Sequence, residues 1–385
     1  MPIKMITTDQ ALAQACEVFA SSPFVCIDTE FHRETTYYSK LALVQMADAD
    51  TTVVVDVLAI QDLQPLKQLL KNTAVTKVFH AAYQDIEIFQ HDLDCVPEPV
   101  FDTQVAAPLI GMNDQIGYAG LIKELLNIDL DKSQSRTDWL QRPLSEQQIE
   151  YAAHDVLYLA KAYVLLTQKL TELNRIDWLE EEFRELSNPA TYVTTDADMW
   201  KKIKGVNKLH GQQLAILQAI TSWRETIAKQ RNKPRRRIIA DDVLTDIARQ
   251  RCDSAEQIMS LRSLRTSRFS RADAEQLAQA VQQSQSLPRE DWPRLPSFQR
   301  TTVEQDAVVD ILSALIKYYA HVHGISPLVI ASRKHLEALV TGNSDIPLMH
   351  GWRKHHAGDQ CADFLAGRFS LQVNQGQLQL NETSA

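Results

Sequence analysis

Asp28 and Glu30 stand two residues apart at the end of an apolar stretch, Phe24-Val-Cys-Ile-Asp-Thr-Glu-Phe31. Residues two apart in a strand point to one face, so both carboxylates would project together from a sheet. Neighbouring acids repel and are uncommon in strands, which asks for positive charge between them. On its own the pair also fits a solvated edge. Asp85 follows a fourth apolar stretch, in His80-Ala-Ala-Tyr-Gln-Asp-Ile-Glu-Ile-Phe89, where an acid can equally cap a helix. Tyr151 and Asp155 are four apart, hence on one face of any helix they share; alone they suit a solvent-facing helix. Together, four carboxylates from three elements carry a charge that balances two divalent cations. Such a pair of ions, roughly 3.5–4 Å apart, clamps the attacking and leaving oxygens of an in-line phosphoryl displacement. Oxygen-only ligation favours Mg²⁺ or Mn²⁺ over zinc, and no His or Cys ligand spacing accompanies it.

The elements that must position these groups are legible as patterns. Phe24–Phe31, Leu41–Met46, Thr52–Val57 and Thr76–His80 are short and rich in β-branched or apolar residues and read as strands. Helical periods fall near 63–70, 84–93, 103–110 and 118–127, so a mixed α/β sheet is expected. A long helix begins at Ser145, with Gln148 completing a capping box, and runs to about Leu170. Its buried stripe is Ile149, Ala152, Ala153, Val156, Leu159, Ala160 and Tyr163. The pattern weakens across 183–208, and everything beyond reads as helix, broken by the proline-rich 287–296. Thr221–Ala248 lies over Ser313–Val340 at an offset of 92. Two copies of one small helical module are the preferred account; helices sharing apolar periods by default is the other.

Composition sets the bounds. The 385 residues are 44% hydrophobic and 23% charged, the balance of a soluble globular chain of two or three domains. No apolar run approaches the roughly 18 residues of a membrane span, and the first residues lack the pattern of an export signal. Five scattered cysteines (Cys16, Cys26, Cys95, Cys252, Cys361) with no C-x-x-C argue against a disulfide framework or zinc ribbon and for a reducing cytoplasm. Charge is segregated: residues 1–195 carry 14 basic and 29 acidic side chains, residues 201–300 carry 20 and 10. An acidic part for metal work joined to a basic part that attracts a polyanion is one reading; chance segregation is the other. The absence of G-x-x-x-x-G-K-[ST] excludes a P-loop helicase.

The order Asp28-Thr-Glu30, Asp85 in His-Ala-Ala-x-x-Asp, then Tyr151-x-x-x-Asp155 resembles the three exonuclease motifs of the DEDD superfamily, in its tyrosine-containing DEDDy branch. Phe101-Asp-Thr103, Leu130-Asp-Lys-Ser133 and Asp138-Trp-Leu-Gln-Arg-Pro-Leu144 are similar to bacterial ribonuclease D, and the two C-terminal pieces resemble helicase-and-RNase-D C-terminal (HRDC) domains. The resemblance implies an RNase H-like α/β exonuclease domain over 1–195 and all-α HRDC-type domains over 209–290 and 300–380. It implies a metal-dependent 3′→5′ exoribonuclease that releases nucleoside monophosphates from tRNA precursors and other small structured RNAs. By motif, Asp28, Glu30 and Asp155 would hold one Mg²⁺ or Mn²⁺ ion, and Asp28 would share a second that Asp85 holds directly or through water. Tyr151, with an ordinary pKa near 10, suits positioning the attacking water better than deprotonating it. A DNA exonuclease of the same superfamily and a silent RNA-binding adaptor are the rival readings.

For RNA contact the candidates are Lys233, Arg235, Arg236 and Arg237 in the run Lys229-Gln-Arg-Asn-Lys-Pro-Arg-Arg-Arg237, and Arg265 and Arg268 in the series Arg262, Arg265, Arg268, Arg271. Solvated loops are their alternative. Phe31, His32, Gln45 and Tyr83 flank the motifs and either line the cleft or belong to its core and rim. His321, His323, His350, His355 and His356 read as packing or surface groups, and Trp139 as a core residue near the substrate. No membrane and no obligate protein partner is expected, and a monomer is the simplest state.

Overall fold

The computed structural model describes residues 3–131, 133–134, 137–193, 195–264, 269–295 and 301–382. Its first half is built on a six-stranded sheet in the order β1-β4-β3-β2-β5-β6. The strands are β1 (Lys4–Ile6), β2 (Phe24–His32), β3 (Lys40–Ala47), β4 (Thr52–Asp56), β5 (Thr76–Phe79) and β6 (Val100–Asp102). β2, β3 and β4 form an antiparallel meander; β1 joins β4 in parallel, and β5 and β6 extend β2 in parallel. The four strands anticipated from pattern are present; the three-residue β1 and β6 are additions at the sheet edges.

Both faces of the sheet are covered, which explains why its central strands read as continuous apolar runs. Helices α1 (Asp9–Ala20), α2 (Gln64–Lys71) and α3 (Tyr83–Leu93) contribute Leu12, Phe19, Leu66, Leu70, Ile86 and Phe89 to one face, against Val25, Ile27, Val53, Val55 and Phe79. The short α4 (Thr103–Ala106) and α5 (Tyr118–Leu126) lead to α6 (Glu146–Glu172), which crosses the other face. The Ser145 hydroxyl accepts from the Gln148 N–H, and the Gln148 side chain accepts from the Ser145 N–H, so the capping box is formed. Ala152, Ala153, Val156, Leu159 and Ala160 are buried beneath α6. Three of these are alanines, which let the helix approach β2 and β3 closely.

Lys77 shows how the far edge is closed. It is 0% exposed in β5, and its ammonium donates to the carbonyls of Asn72 (2.8 Å), Val75 (2.6 Å) and Glu98. These bonds tie the loop before β5 to the loop before β6.

α7 (Glu180–Leu186) and several short 3₁₀ turns carry the chain through the region where the sequence pattern weakens. α8 (Gln212–Gln230), α9 (Arg235–Ile238), α10 (Asp241–Gln250), α11 (Ala255–Ser260) and α12 (Arg271–Gln285) make the first helical unit. After the proline-rich break come α13 (Val303–His323), α14 (Pro327–Ile330) and α15 (Arg333–Val340). α14 and α15 each start 92 positions beyond α9 and α10, the offset read from the sequence. The all-helical expectation for the second unit is corrected at its end. Phe369–Asn374 and Gln377–Glu382 pair as an antiparallel hairpin, β7–β8. Apolar Phe369, Leu371 and Val373 alternate with polar residues, and Gln375 (φ 51°) and Gly376 (φ 80°) make the left-handed turn such a hairpin prefers.

Both helical units dock on the first half. Tyr37 in the β2–β3 loop donates to Glu225 of α8 (2.7 Å) and accepts from Arg235 (2.8 Å). On the other side Trp178 and Trp352 stack with ring centroids 4.3 Å apart, and Glu182 pairs with Arg353. Replacing Lys77 with Met would leave the carbonyls of Val75 and Glu98 without this donor, at about 1–3 kcal/mol each, while that of Asn72 keeps the Val75 N–H at 3.1 Å. Urea unfolding should therefore show a loss of about 2 kcal/mol or more; an unchanged midpoint would contradict this account of the edge.

Candidate active site

The site forms where β2, α3 and α6 meet. Asp28 and Glu30 leave the same face of β2, the one crossed by α6, and the ladder to β3 shifts register just after Glu30. From α6, Tyr151 and Asp155 descend toward them, one turn apart. One carboxylate oxygen from each of Asp28, Glu30 and Asp155 lies within 4.8 Å of the others, a spacing that fits a shared cation.

Asp85 comes in from the first turn of α3 and is buried. The Thr29 hydroxyl, from between the two β2 acids, donates to it. The turn that delivers Asp85 is held from below by Asp102, which accepts from the N–H groups of Ala81 (3.0 Å) and Ala82 (2.8 Å). Ala81 sits in the left-handed region there, at φ 61°. Asp85 thus adjoins Asp28 without joining the three-oxygen group.

Crowded burial works against ionisation throughout the cluster. Burial raises the pKa of Asp28, partly offset by the Thr29 N–H bonded to it. Burial and then the charges of Asp28, Asp155 and Asp85 raise Glu30. Burial and the Asp28 charge raise Asp85 and Asp155. Burial followed by Asp155, Glu30 and Asp28 lifts Tyr151 far above the ordinary phenol value, so it stays a hydrogen-bond donor at neutral pH. Four crowded acids, Asp85 buried and the other three half-buried, with no cationic partner among the described residues and only oxygen to offer, fit hard divalent cations.

Asp28, Thr29, Glu30, Tyr151 and Asp155 line a cavity of about 260 Å³ with His80, Tyr118 and Leu159. A second cavity of about 370 Å³ continues past Tyr151 and Asp155 toward Leu130, Glu150 and His154. His80 and Tyr118 were not singled out from the sequence. The Thr103 hydroxyl donates to the Phe79 carbonyl (3.0 Å), so its oxygen accepts from His80 Nδ1 at 2.9 Å. The Tyr118 hydroxyl donates to the His154 carbonyl (3.0 Å). Trp139 is buried, its ring 6.1 Å from that of Tyr151. Its segment is pinned by Arg142, which donates twice to Asp56 at 2.7 Å.

Other anticipated groups fall outside the cavity. Phe31 packs against the sheet core, His32 is bonded to Thr35, Tyr83 packs beside Tyr192, and Gln45 is buried in β3. Arg235 is committed to Glu225 (2.6 Å) and lies over the Tyr37 ring at 4.7 Å, so its charge serves domain docking rather than phosphate. Lys233, Arg236 and Arg237 are exposed. Arg265 and Arg268 lie outside the described residues. His323 and His356 pack on Trp178. Among the described residues no helix is long and apolar enough to cross a membrane.

An Asp-x-Glu strand end facing a Tyr-x-x-x-Asp helix, on a sheet of this order, is the arrangement of the DEDD class of 3′–5′ exonucleases. Residues 3–173 match the family model described as 3′-5′ exonuclease, and residues 213–281 match that of the HRDC domain. Ribonuclease D of Bartonella henselae is 38% identical over 379 residues, covering 98% of this chain and 93% of its own. Ribonuclease D of Granulibacter bethesdensis is 37% identical over 98% of this chain and 96% of its own. The crystal structure of Escherichia coli RNase D superposes with a TM-score of 0.83 at 31% identity, over 95% of this chain and 99% of that one. The chain belongs to the ribonuclease D family, and it is a 3′–5′ exoribonuclease.

The raised carboxylate pKa values carry a sign for metal binding. Acids that hold protons near neutrality must release them to ligate, so Mn²⁺ affinity should rise with pH between about 6 and 8. Calorimetry in buffers of different ionisation enthalpy should register proton release. An affinity independent of pH, without release, would contradict the electrostatic description.

Proposed function

We propose that the chain trims the 3′ ends of tRNA precursors and other small structured RNAs, releasing nucleoside monophosphates, with two divalent cations held by Asp28, Glu30, Asp85 and Asp155. The observation that carries this reading is the convergence of Asp28, Glu30 and Asp155 oxygens within 4.8 Å. The relative from Escherichia coli is described as an exoribonuclease involved in structured RNA processing, which supports the substrate class.

Bound Mg²⁺ or Mn²⁺ would supply Lewis acidity and lower the pKa of water near the scissile phosphate. The residues do the rest. Asp28 shares the three-oxygen group with Glu30 and Asp155 and its charge also acts on Asp85, so it is the ligand suited to both ions. Tyr151 keeps its proton and donates a hydrogen bond, orienting the attacking water. The buried Trp139 packs beside the Tyr151 ring and limits where that side chain can point. Leu159 and Tyr118 narrow the cavity around the terminal nucleotide.

The division of labour follows the three parts of the chain: 1–195 cuts, 209–290 grips RNA through its exposed basic side chains, and 300–380 packs against the first part and frames the approach. Five buried free cysteines suit a reducing cytoplasm. No obligate partner is required, and the working state is a monomer.

Asp28→Asn or Asp155→Asn should lower hydrolysis of a 3′-extended tRNA by about three orders of magnitude or more while leaving RNA binding largely intact. Tyr151→Phe should cost roughly 100-fold, through a misplaced nucleophile. Parallel digestion of matched RNA and DNA 3′ ends reads the substrate class. Equal rates on DNA, or near-normal hydrolysis by a single-carboxylate variant, would overturn the proposal.

A further inference from the structure

Gln45 lies in the middle of β3 and is 0% exposed. Neither its amide nitrogen nor its amide oxygen has a hydrogen-bond partner among the described residues. Buried polar side chains are nearly always bonded, and an interior strand position ordinarily holds a β-branched apolar residue. An amide here therefore calls for a specific reason.

The register supplies one. In the β2–β3 ladder Gln45 stands directly opposite Asp28. In the β3–β4 ladder it stands opposite Val54. Directly opposed residues share a face of the sheet, with Cβ atoms about 4.5–5.5 Å apart. Along β3, the next residues on that face are Leu43 and Ala47. Among these four neighbours Asp28 alone offers a polar group, well within reach of a glutamine side chain.

We propose that Gln45 is a positioning residue for the metal site: its amide donates a hydrogen bond to the Asp28 carboxylate when that group holds a divalent cation. A bond to a charged acceptor is roughly twice as strong as one to a neutral partner. The amide thus fixes which Asp28 oxygen turns toward the cation. Outer hydrogen bonds of this kind orient ligating carboxylates, and their loss typically costs 10–100-fold in metal affinity or activity. The inference rests on the reading of Asp28 as a metal ligand.

Gln45→Met keeps the volume and removes the donor. Thermal unfolding of the chelated variant should show an unchanged or higher Tm, because an unbonded buried amide is gone. Calorimetric titration with Mn²⁺ should show the dissociation constant raised about tenfold or more. Asp28→Asn, the control, should show Mn²⁺ binding lost. Wild-type Mn²⁺ affinity in Gln45→Met, with binding lost in Asp28→Asn, overturns the role of Gln45 alone; wild-type affinity in both overturns the reading of the metal site itself. Should Gln45→Met not fold, ¹⁵N–¹H spectra of the wild-type protein decide. Mg²⁺ should move the Gln45 side-chain amide signals downfield, and unmoved signals overturn the proposal.

Discussion

Mutual repulsion among crowded, partly buried acids is the constraint around which the first half of the molecule is organised. Asp28, Glu30, Asp85 and Asp155 are drawn from three elements into one poorly hydrated place, and the raised pKa of each records the cost. Nothing in that cluster favours folding by itself. The surrounding structure must hold it by force of packing, and the work is visible: a sheet covered on both faces, a 27-residue helix anchored by a capping box, and a buried Asp102 that fixes the turn in front of α3. A divalent cation would relieve the repulsion, so the same feature that burdens the fold suits the site to hard, oxygen-loving ions.

The helical units bear on this centre through their docking. The first is latched by the Tyr37–Glu225–Arg235 group onto the loop that follows β2. The second is seated on Trp178 and α7 by the Trp352 stack and the Arg353–Glu182 pair. Val309, Leu312 and Ile316 of α13 share a continuous apolar cluster with Val156 and Leu159 of α6. Positions of both units are thereby coupled to the elements that carry the carboxylates.

Much of the centre was legible in the sequence because its determinants are local. Two-residue spacing put Asp28 and Glu30 on one strand face, four-residue spacing put Tyr151 and Asp155 on one helix face, and Ser145 with Gln148 marked where that helix starts. Long-range pairing was not legible. The bond from Thr29 to Asp85 spans 56 positions, and nothing local announces it. Likewise the placement of Gln45 opposite Asp28 depends on strand register, which no single stretch encodes. β1 and β6, at three residues each, are too short to show a period. The basic run near Arg235 read as a polyanion site, but Glu225 is ten residues away and Tyr37 is 198, and together they claim that arginine for an internal contact. The β7–β8 hairpin did carry a signal, alternating apolar residues about a Gln-Gly turn, outweighed by the helical stretch before it.

The claim on which this account stands is spatial, and diffraction tests it most directly. Crystals grown with Mn²⁺ and measured at the manganese absorption edge should show anomalous peaks among the oxygens of Asp28, Glu30 and Asp155, with a second peak on the Asp85 side of Asp28. Peaks elsewhere, or none at saturating Mn²⁺ with the carboxylates ordered, would contradict it.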